Sequence, residues 1–275
     1  MPGILYLVPT PIGNLGDISQ RMAETMAEVD FIAAEDTRVS VKLLNHLDIK
    51  KPMVSYHRHN CDTAGQTILR RLLEGESCAL VTDAGTPAIS DPGEDLVALC
   101  AANGVDVIAI PGPCALITAL SISGLPTARF TFEGFLPMNK KNRRAHLDSL
   151  RQEQRTMIFY EAPHKITDTL DDFLAVFGGE RRISLCRELT KLHEEVLRTT
   201  LAGAVEHFKE KEPRGEFVLV VEGAQPEVVE ADPEAALKRV EQLRGQGMSL
   251  KDAAAQAAGE FGMKKKQLYD MAIGK

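Results

Sequence analysis

Carboxylates and imidazoles recur just past the ends of short apolar runs: Glu35 and Asp36 after 31–34, His57 after 53–55, Asp83 after 78–82, Glu161 and His164 after 156–160. These side chains move protons or hold cations, and a strand end is where an open α/β sheet presents them to a ligand. The stretch at 80–93, LVTDAGTPAISDPG, is the centre of the pattern. An apolar strand breaks there into Asp83-Ala84-Gly85-Thr86-Pro87, where small residues leave the backbone bare, before Asp91-Pro92-Gly93-Glu94 restarts a helix. Asp91 is expected at the N-cap, Pro92 at the first helical position and Glu94 at the third, as in a capping box. Plain turns between strand and helix run to about six residues. Residues 83–90 are longer and carry an acid, so they read as a ligand loop.

Phosphate is not the expected ligand. The chain has neither GxGxxG nor GxxxxGK[ST], the fingerprints of dinucleotide and P-loop sites. Asp91, Glu94 and Asp95 at the helix start would repel an anion. A cationic or neutral ligand with ribose and amine donors suits a carboxylate-rimmed loop. S-adenosylmethionine, with its sulfonium and amino group, is one such ligand.

The loops must be held by a folded body, and 275 residues with 44% hydrophobic and 26% charged content supply about two domains with ample core. No apolar run approaches the roughly 18 residues of a membrane span, and no basic region followed by a long apolar segment opens the chain. No membrane association and a cytoplasmic location are expected. The cysteines (Cys61, Cys78, Cys100, Cys114, Cys186) are odd in number, scattered, and outside any CxxC or Cys/His spacing, so reduced thiols and no metal are expected. The net charge of −7 argues against a polyanion partner, but it is unevenly spread: −6 over 1–129, +1 over 130–200, −5 over 201–232 and +3 over 233–275. The clusters Lys140, Lys141, Arg143, Arg144 and Lys264, Lys265, Lys266 lie in the two positive segments, which permits a local nucleic-acid footprint. A solvated helix face is the alternative for either cluster.

Strand and helix alternate over residues 1–122. Strands are expected at 4–8, 31–34, 53–55, 78–82 and 105–110, and helices at 19–29, 39–47, 63–73, 95–103 and after 115. This predicts an α/β domain with a mostly parallel sheet and helices on both faces. Residues 123–225 carry longer strands at 130–136, 156–160, 182–188, 195–200 and 215–222 with fewer helices, which predicts a second α/β domain with a mixed or antiparallel sheet. The acidic, proline-bounded 224–233 reads as a linker. Residues 233–275 then form three short helices, the last two joined by a glycine turn, in the manner of a helix-turn-helix with Lys264–Lys266 opening the recognition helix. A helical dimerisation appendage is the competing reading.

The loops together resemble one family: TPIGNLGD at 10–17, EDTR at 35–38, TDAGTPAISDPG at 82–93, PGPCA at 111–115, EGFLP at 133–137, FYEAPHK at 159–165, RELTK at 187–191 and RGEFVLVVEG at 214–223. The chain is similar, almost throughout, to the tetrapyrrole methylase class (class III) of S-adenosylmethionine methyltransferases. Within that class it resembles the small-subunit ribosomal RNA methyltransferase branch, which 2′-O-methylates a cytidine of 16S rRNA. Cys114 stands where the family often has serine, and Lys165 where arginine is commoner. The resemblance implies a homodimer acting on the small ribosomal subunit. It also implies S-adenosylmethionine between the two α/β domains, against Pro9, Thr10, Asp83, Ala84, Gly85, Ile89, Cys114, Ala115, Tyr160, Gly215 and Glu216. A ribose oxygen would displace the thioether from the methyl carbon, so positioning dominates and a base takes the hydroxyl proton. Glu35, Asp36, Asp83, His57, Glu161 and His164 are candidates; Glu35 and Asp36 are chosen, although Asp36 could cap the next helix and Glu35 could pair with Arg38. Rival readings are a tetrapyrrole-type small-molecule methyltransferase and a non-catalytic nucleic-acid-binding regulator.

Overall fold

Residues 1–122 alternate strand and helix because short apolar runs are separated by helix-forming segments, the first two of them capped by Ser19 and Asp36. The computed structural model describes residues 1–225 and 232–274. Its first lobe contains β1 (Ile4–Leu7), α1 (Gln20–Glu28), β2 (Phe31–Ala34), α2 (Thr37–His46), β3 (Met53–Ser55), α3 (Cys61–Leu73), β4 (Cys78–Val81), α4 (Glu94–Ala102), β5 (Asp106–Ala109) and α5 (Ala115–Ile122). The strands form one parallel sheet in the order β3-β2-β4-β1-β5. Alternation along the strands serves two cores. Leu5, Phe31, Ala33 and Leu80 meet Ile68, Leu72 and Leu96 on one face. Val8, Ile32, Ala34 and Ala79 meet Met22, Met26 and Leu44 on the other. All strands point the same way, so the loops after β1, β2, β4 and β5 gather at one edge.

The second lobe contains β6 (Phe130–Phe135), α6 (Lys140–Ser149), β7 (Thr156–Glu161), α7 (Ile166–Phe177), β8 (Arg182–Arg187), β9 (Glu195–Thr200), α8 (Leu201–Glu210) and β10 (Phe217–Val221). Its sheet runs β6-β7-β10-β8-β9, with β6 and β7 parallel and the other pairs antiparallel. This is the mixed sheet expected. One face buries Leu147, Phe159, Phe173, Leu185 and Leu219 with helices α6 to α8. The other packs Ile158, Cys186, Val218 and Val220 against Leu116, Ala119 and Leu120 of α5 and against Ile12. That shared core makes the expected α/β domains two lobes of a single compact unit, Met1–Ala224.

The second unit, Gln225–Lys275, holds α9 (Pro233–Gly245), α10 (Leu250–Glu260) and α11 (Lys265–Ala272). Ser249 caps α10 through Asp252 N at 3.2 Å, and Ala253, Ala254, Ala257 and Leu268 are buried with Val240 and Leu243. The expected linker at 224–233 lies, for residues 226–231, outside the described residues. No helix among the described residues is long and apolar enough to cross a membrane.

Local caps moved several boundaries. Helix α2 starts two residues earlier than its apolar stripe because Asp36 accepts from Arg38 N at 2.8 Å. The expected cap at Asp91 is not formed. Gly93, at φ 143°, is the N-cap of α4 and makes no side-chain cap bond, so Asp91 and Pro92 precede the helix.

Candidate active site

The edge where the first lobe's loops gather faces the second lobe across a cavity of about 510 Å3. Five carboxylic residues line it, Glu35, Asp83, Asp91, Glu161 and Glu216, and among the described residues no Lys, Arg or His does. Apolar wall comes from Ile12, Ile89, Phe135, Leu189, Phe217 and Val218. A ligand with several donors and positive charge matches this lining, and an anion does not.

The loop after β4 carries the densest strain. Gly85 (φ 88°), Ala88 (67°), Ser90 (63°) and Gly93 (143°) all have left-handed backbones, and strain of this kind collects at ligand clamps. Thr10 holds the loop: it exchanges backbone hydrogen bonds of 2.9 Å each way with Gly85, and its Oγ1 donates to Thr82 O at 3.0 Å. Arg58 Nη2 donates to Ser90 O at 2.7 Å from the other side. The segment before β10 is held as firmly. Glu188 accepts from Glu216 N at 3.0 Å, and Lys191 bridges Glu188 and Glu216 at 2.9 Å each.

The acids differ in state. Burial, with the charge of Asp83, raises the pKa of Glu35. Burial likewise raises Asp83, whose Oδ1 accepts from Asp36 N at 3.2 Å. Asp91 is pushed up to about 7 by burial and then by Glu35, with Arg58 opposing. Burial explains the common direction, and repulsion between neighbouring carboxylates adds to it. Asp36 turns away: its hydrogen bonds with Arg38, one of 2.6 Å, hold its carboxyl down at about 2. Glu161 is buried and accepts from Ala162 N at 2.9 Å and Thr169 Oγ1 at 2.6 Å, which fixes its direction.

Tyr160 closes the wall between Phe132 and Phe135, at ring-centre distances of 5.0 and 5.5 Å. Its hydroxyl accepts from Leu116 N at 3.1 Å, one of the free amides at the start of α5. The N-cap residue, Cys114, makes no side-chain cap bond. A thiol is a weak acceptor, so the tyrosine performs the capping across the lobe junction.

Of the residues expected to hold cofactor, Asp83, Ala84, Gly85, Ile89, Cys114, Ala115, Tyr160 and Glu216 line the cavity, whereas Pro9, Thr10 and Gly215 do not. Thr10 acts through the loop it pins. Gly215, at φ 81°, lies where a Cβ would come within 2.5 Å of Glu188 Cγ. Of the candidate bases, Glu35, Asp83 and Glu161 line the cavity; Asp36, His57 and His164 do not. Sequence reasoning missed Asp91, which it spent on a helix cap. The left-handed Ser90 that carries Asp91 into the cavity left no sequence signal. The donor set and the bare loop fit S-adenosylmethionine: carboxylates for its amino group and ribose hydroxyls, negative surroundings for its sulfonium.

Lys140 and Lys141 are exposed in the first turn of α6, whose cap Asn139 accepts from Lys141 N at 3.0 Å. Arg143 is not free for a ligand: its Nε forms an ion pair with Asp172 at 2.6 Å, and its Nη2 donates to Thr169 Oγ1 at 3.1 Å. Arg144 pairs with Asp148 on the surface at 3.3 Å. Lys264 is the N-cap of α11, and Lys264, Lys265 and Lys266 are all exposed.

Two family models match: Tetrapyrrole (Corrin/Porphyrin) Methylases over residues 4–205, and the RsmI C-terminal HTH domain over 230–275. The chain is 49% identical over 272 residues to "Ribosomal RNA small subunit methyltransferase I" of Synechocystis sp., covering 98% of each chain. The protein of the same name in Escherichia coli O157:H7 is 48% identical over 275 residues, 98% of this chain and 95% of that one. Among solved structures, diphthine synthase superposes with a TM-score of 0.61 at 15% identity, over 80% of this chain and 90% of that one. Uroporphyrin-III C-methyl transferase from Thermus thermophilus complexed with S-adenyl homocysteine gives 0.56 at 16% identity, over 80% and 97%.

Proposed function

The chain belongs to the tetrapyrrole methylase family and is an S-adenosylmethionine-dependent methyltransferase of small-subunit ribosomal RNA; within that activity, we propose that it methylates the 2′-hydroxyl of a cytidine in 16S rRNA. The observation that carries the reading is a cavity walled by five carboxylic residues in a chain that also exposes lysines at two helix starts. Lysines in a first turn oppose the helix dipole and cost about 0.3–1 kcal/mol each. Stability does not explain Lys140, Lys141, Lys265 and Lys266 there; a polyanion does.

S-adenosylmethionine supplies a methyl carbon already activated by its sulfonium. In our reading Asp83 and Glu216 hold its donors, Ile89, Leu189 and Val218 cover its apolar surface, and Tyr160 keeps the two lobes in register around it. The protein's remaining task is to aim the ribose oxygen and accept its proton as the oxygen–carbon bond forms. Glu35 and Asp91 are the acceptors we assign: both line the cavity, and raised pKa values bring them toward working pH, where proton acceptance is most effective. Asp36 positions Asp83 through its backbone amide and does not act on the proton. We place the enzyme in the cytoplasm as a homodimer, for which sedimentation is the check. The test of the activity is transfer of labelled methyl from S-adenosylmethionine to 16S rRNA, free and in small subunits, with a tetrapyrrole as the control acceptor. Label in the tetrapyrrole alone would favour the small-molecule reading.

A further inference from the structure

Two recesses adjoin the cavity. One, of about 380 Å3, shares Ser90 and Asp91 with it and adds Glu94 and Asp95 against the single cation Arg58. The other, of about 230 Å3, shares Asp83 and lies against Thr10, Pro11, Leu15 and one side of α2 from Val39 to His46. A ribonucleotide whose sugar enters the cavity remains joined to its neighbours, and each recess offers a neighbouring nucleotide a surface beside the cavity. Charge separates them. The first would set a phosphodiester against Glu94 and Asp95 beside Asp91, whereas the second offers Lys42 and His46, both exposed, with only Asp83 opposing.

The second recess also contains an unsatisfied donor. Ser40 is 5% exposed, lines the recess, and its Oγ has no hydrogen-bond partner. A buried hydroxyl without a partner costs free energy that a bound acceptor would recover. Beside it Leu15 and Val39 are exposed at 50% and 38%, an apolar surface against which the face of a base loses water. An apolar platform, a buried hydroxyl, an outer lysine and an imidazole are therefore gathered in one recess. We propose that the recess lined by Leu15, Val39, Ser40, Lys42 and His46 binds the nucleotide adjoining the methylated one in the RNA. Its base lies against Leu15 and Val39, its polar edge meets Ser40 Oγ, and its phosphate faces Lys42 and His46. The inference rests on the RNA-methylation reading above.

The test uses the full chain and purified small ribosomal subunits from cells lacking the enzyme, with direct binding measured beside S-adenosylmethionine titration. Lys42→Ala/His46→Ala should weaken subunit binding about tenfold at 0.1 M salt and flatten the salt dependence by about one phosphate contact for the lysine. Ser40→Ala should weaken it about two- to tenfold. Affinity for S-adenosylmethionine and melting temperature should stay at the wild-type values for the exposed pair. Subunit affinity within twofold of wild type in both variants overturns the subsite while leaving RNA methylation standing. A wild-type protein that neither binds nor methylates subunits overturns the RNA reading, and the subsite with it.

Discussion

Asp91 keeps its proton to a pH at which an ordinary aspartate has long lost it. Burial does most of this, Glu35 adds to it, and the pKa reaches about 7. Above about pH 4 the unfolded chain releases the proton while the native state holds it, so stability falls as pH rises to about 7 and is then level. Asp91→Asn removes that cost. Its melting temperature should exceed wild type by about 5 °C or more at pH 8, and the gain should vanish toward pH 4. The wild type should show a rise of kcat/KM through about pH 7, and the same substitution should lower kcat and remove that rise. Calorimetry across pH measures the first, and initial rates the second. A gain independent of pH would show that Asp91 ionises as it would in water.

The loop between β4 and α4 is where an element, rather than a residue, makes the site. The sequence announces its length, its acid and Gly85; it conceals the left-handed Ala88 and Ser90, because neither residue type favours that backbone. Hence Asp91 was expected to cap a helix and instead lines the cavity, while the cap fell to Gly93. Both sheets and the cap at Ser249 were legible, and Asp36 was open as a cap, because hydrophobic period and cap chemistry are local. The partnership of Thr10 with Gly85 and of Tyr160 with Leu116 was not, since these bonds join residues far apart in the chain. Gly85 tests the loop. A side chain there must adopt φ 88° and lies 3.4 Å from Ile12 Cγ2 at its Cβ alone. Gly85→Val should cost about 1–3 kcal/mol and lower S-adenosylmethionine affinity at least tenfold. Titration calorimetry on the folded variant reads it, and unchanged affinity would remove the loop from the binding site.

At the scale of the molecule, a chain of net charge −7 must hold a polyanion by local cations. Lys264, Lys265 and Lys266 belong to a second unit with its own core and are not among the residues that line the cavity. The triple alanine variant should weaken subunit binding and reduce the slope of log affinity against log salt, by up to about 0.7–0.9 per lost phosphate contact. Affinity for S-adenosylmethionine should not change. A variant with wild-type subunit affinity and slope would make the tail a structural appendage. The central claim, methyl transfer to a ribose oxygen of 16S rRNA, is reached most directly by mapping the product. Small subunits lacking the modification are incubated with the enzyme and methyl-labelled S-adenosylmethionine, and the RNA is digested with alkali, which cannot cut next to a 2′-O-methyl ribose. The account predicts label in an alkali-resistant dinucleotide with cytidine on its 5′ side, lost in Asp83→Ala. Label released as an ordinary mononucleotide, or found on a base, would contradict it.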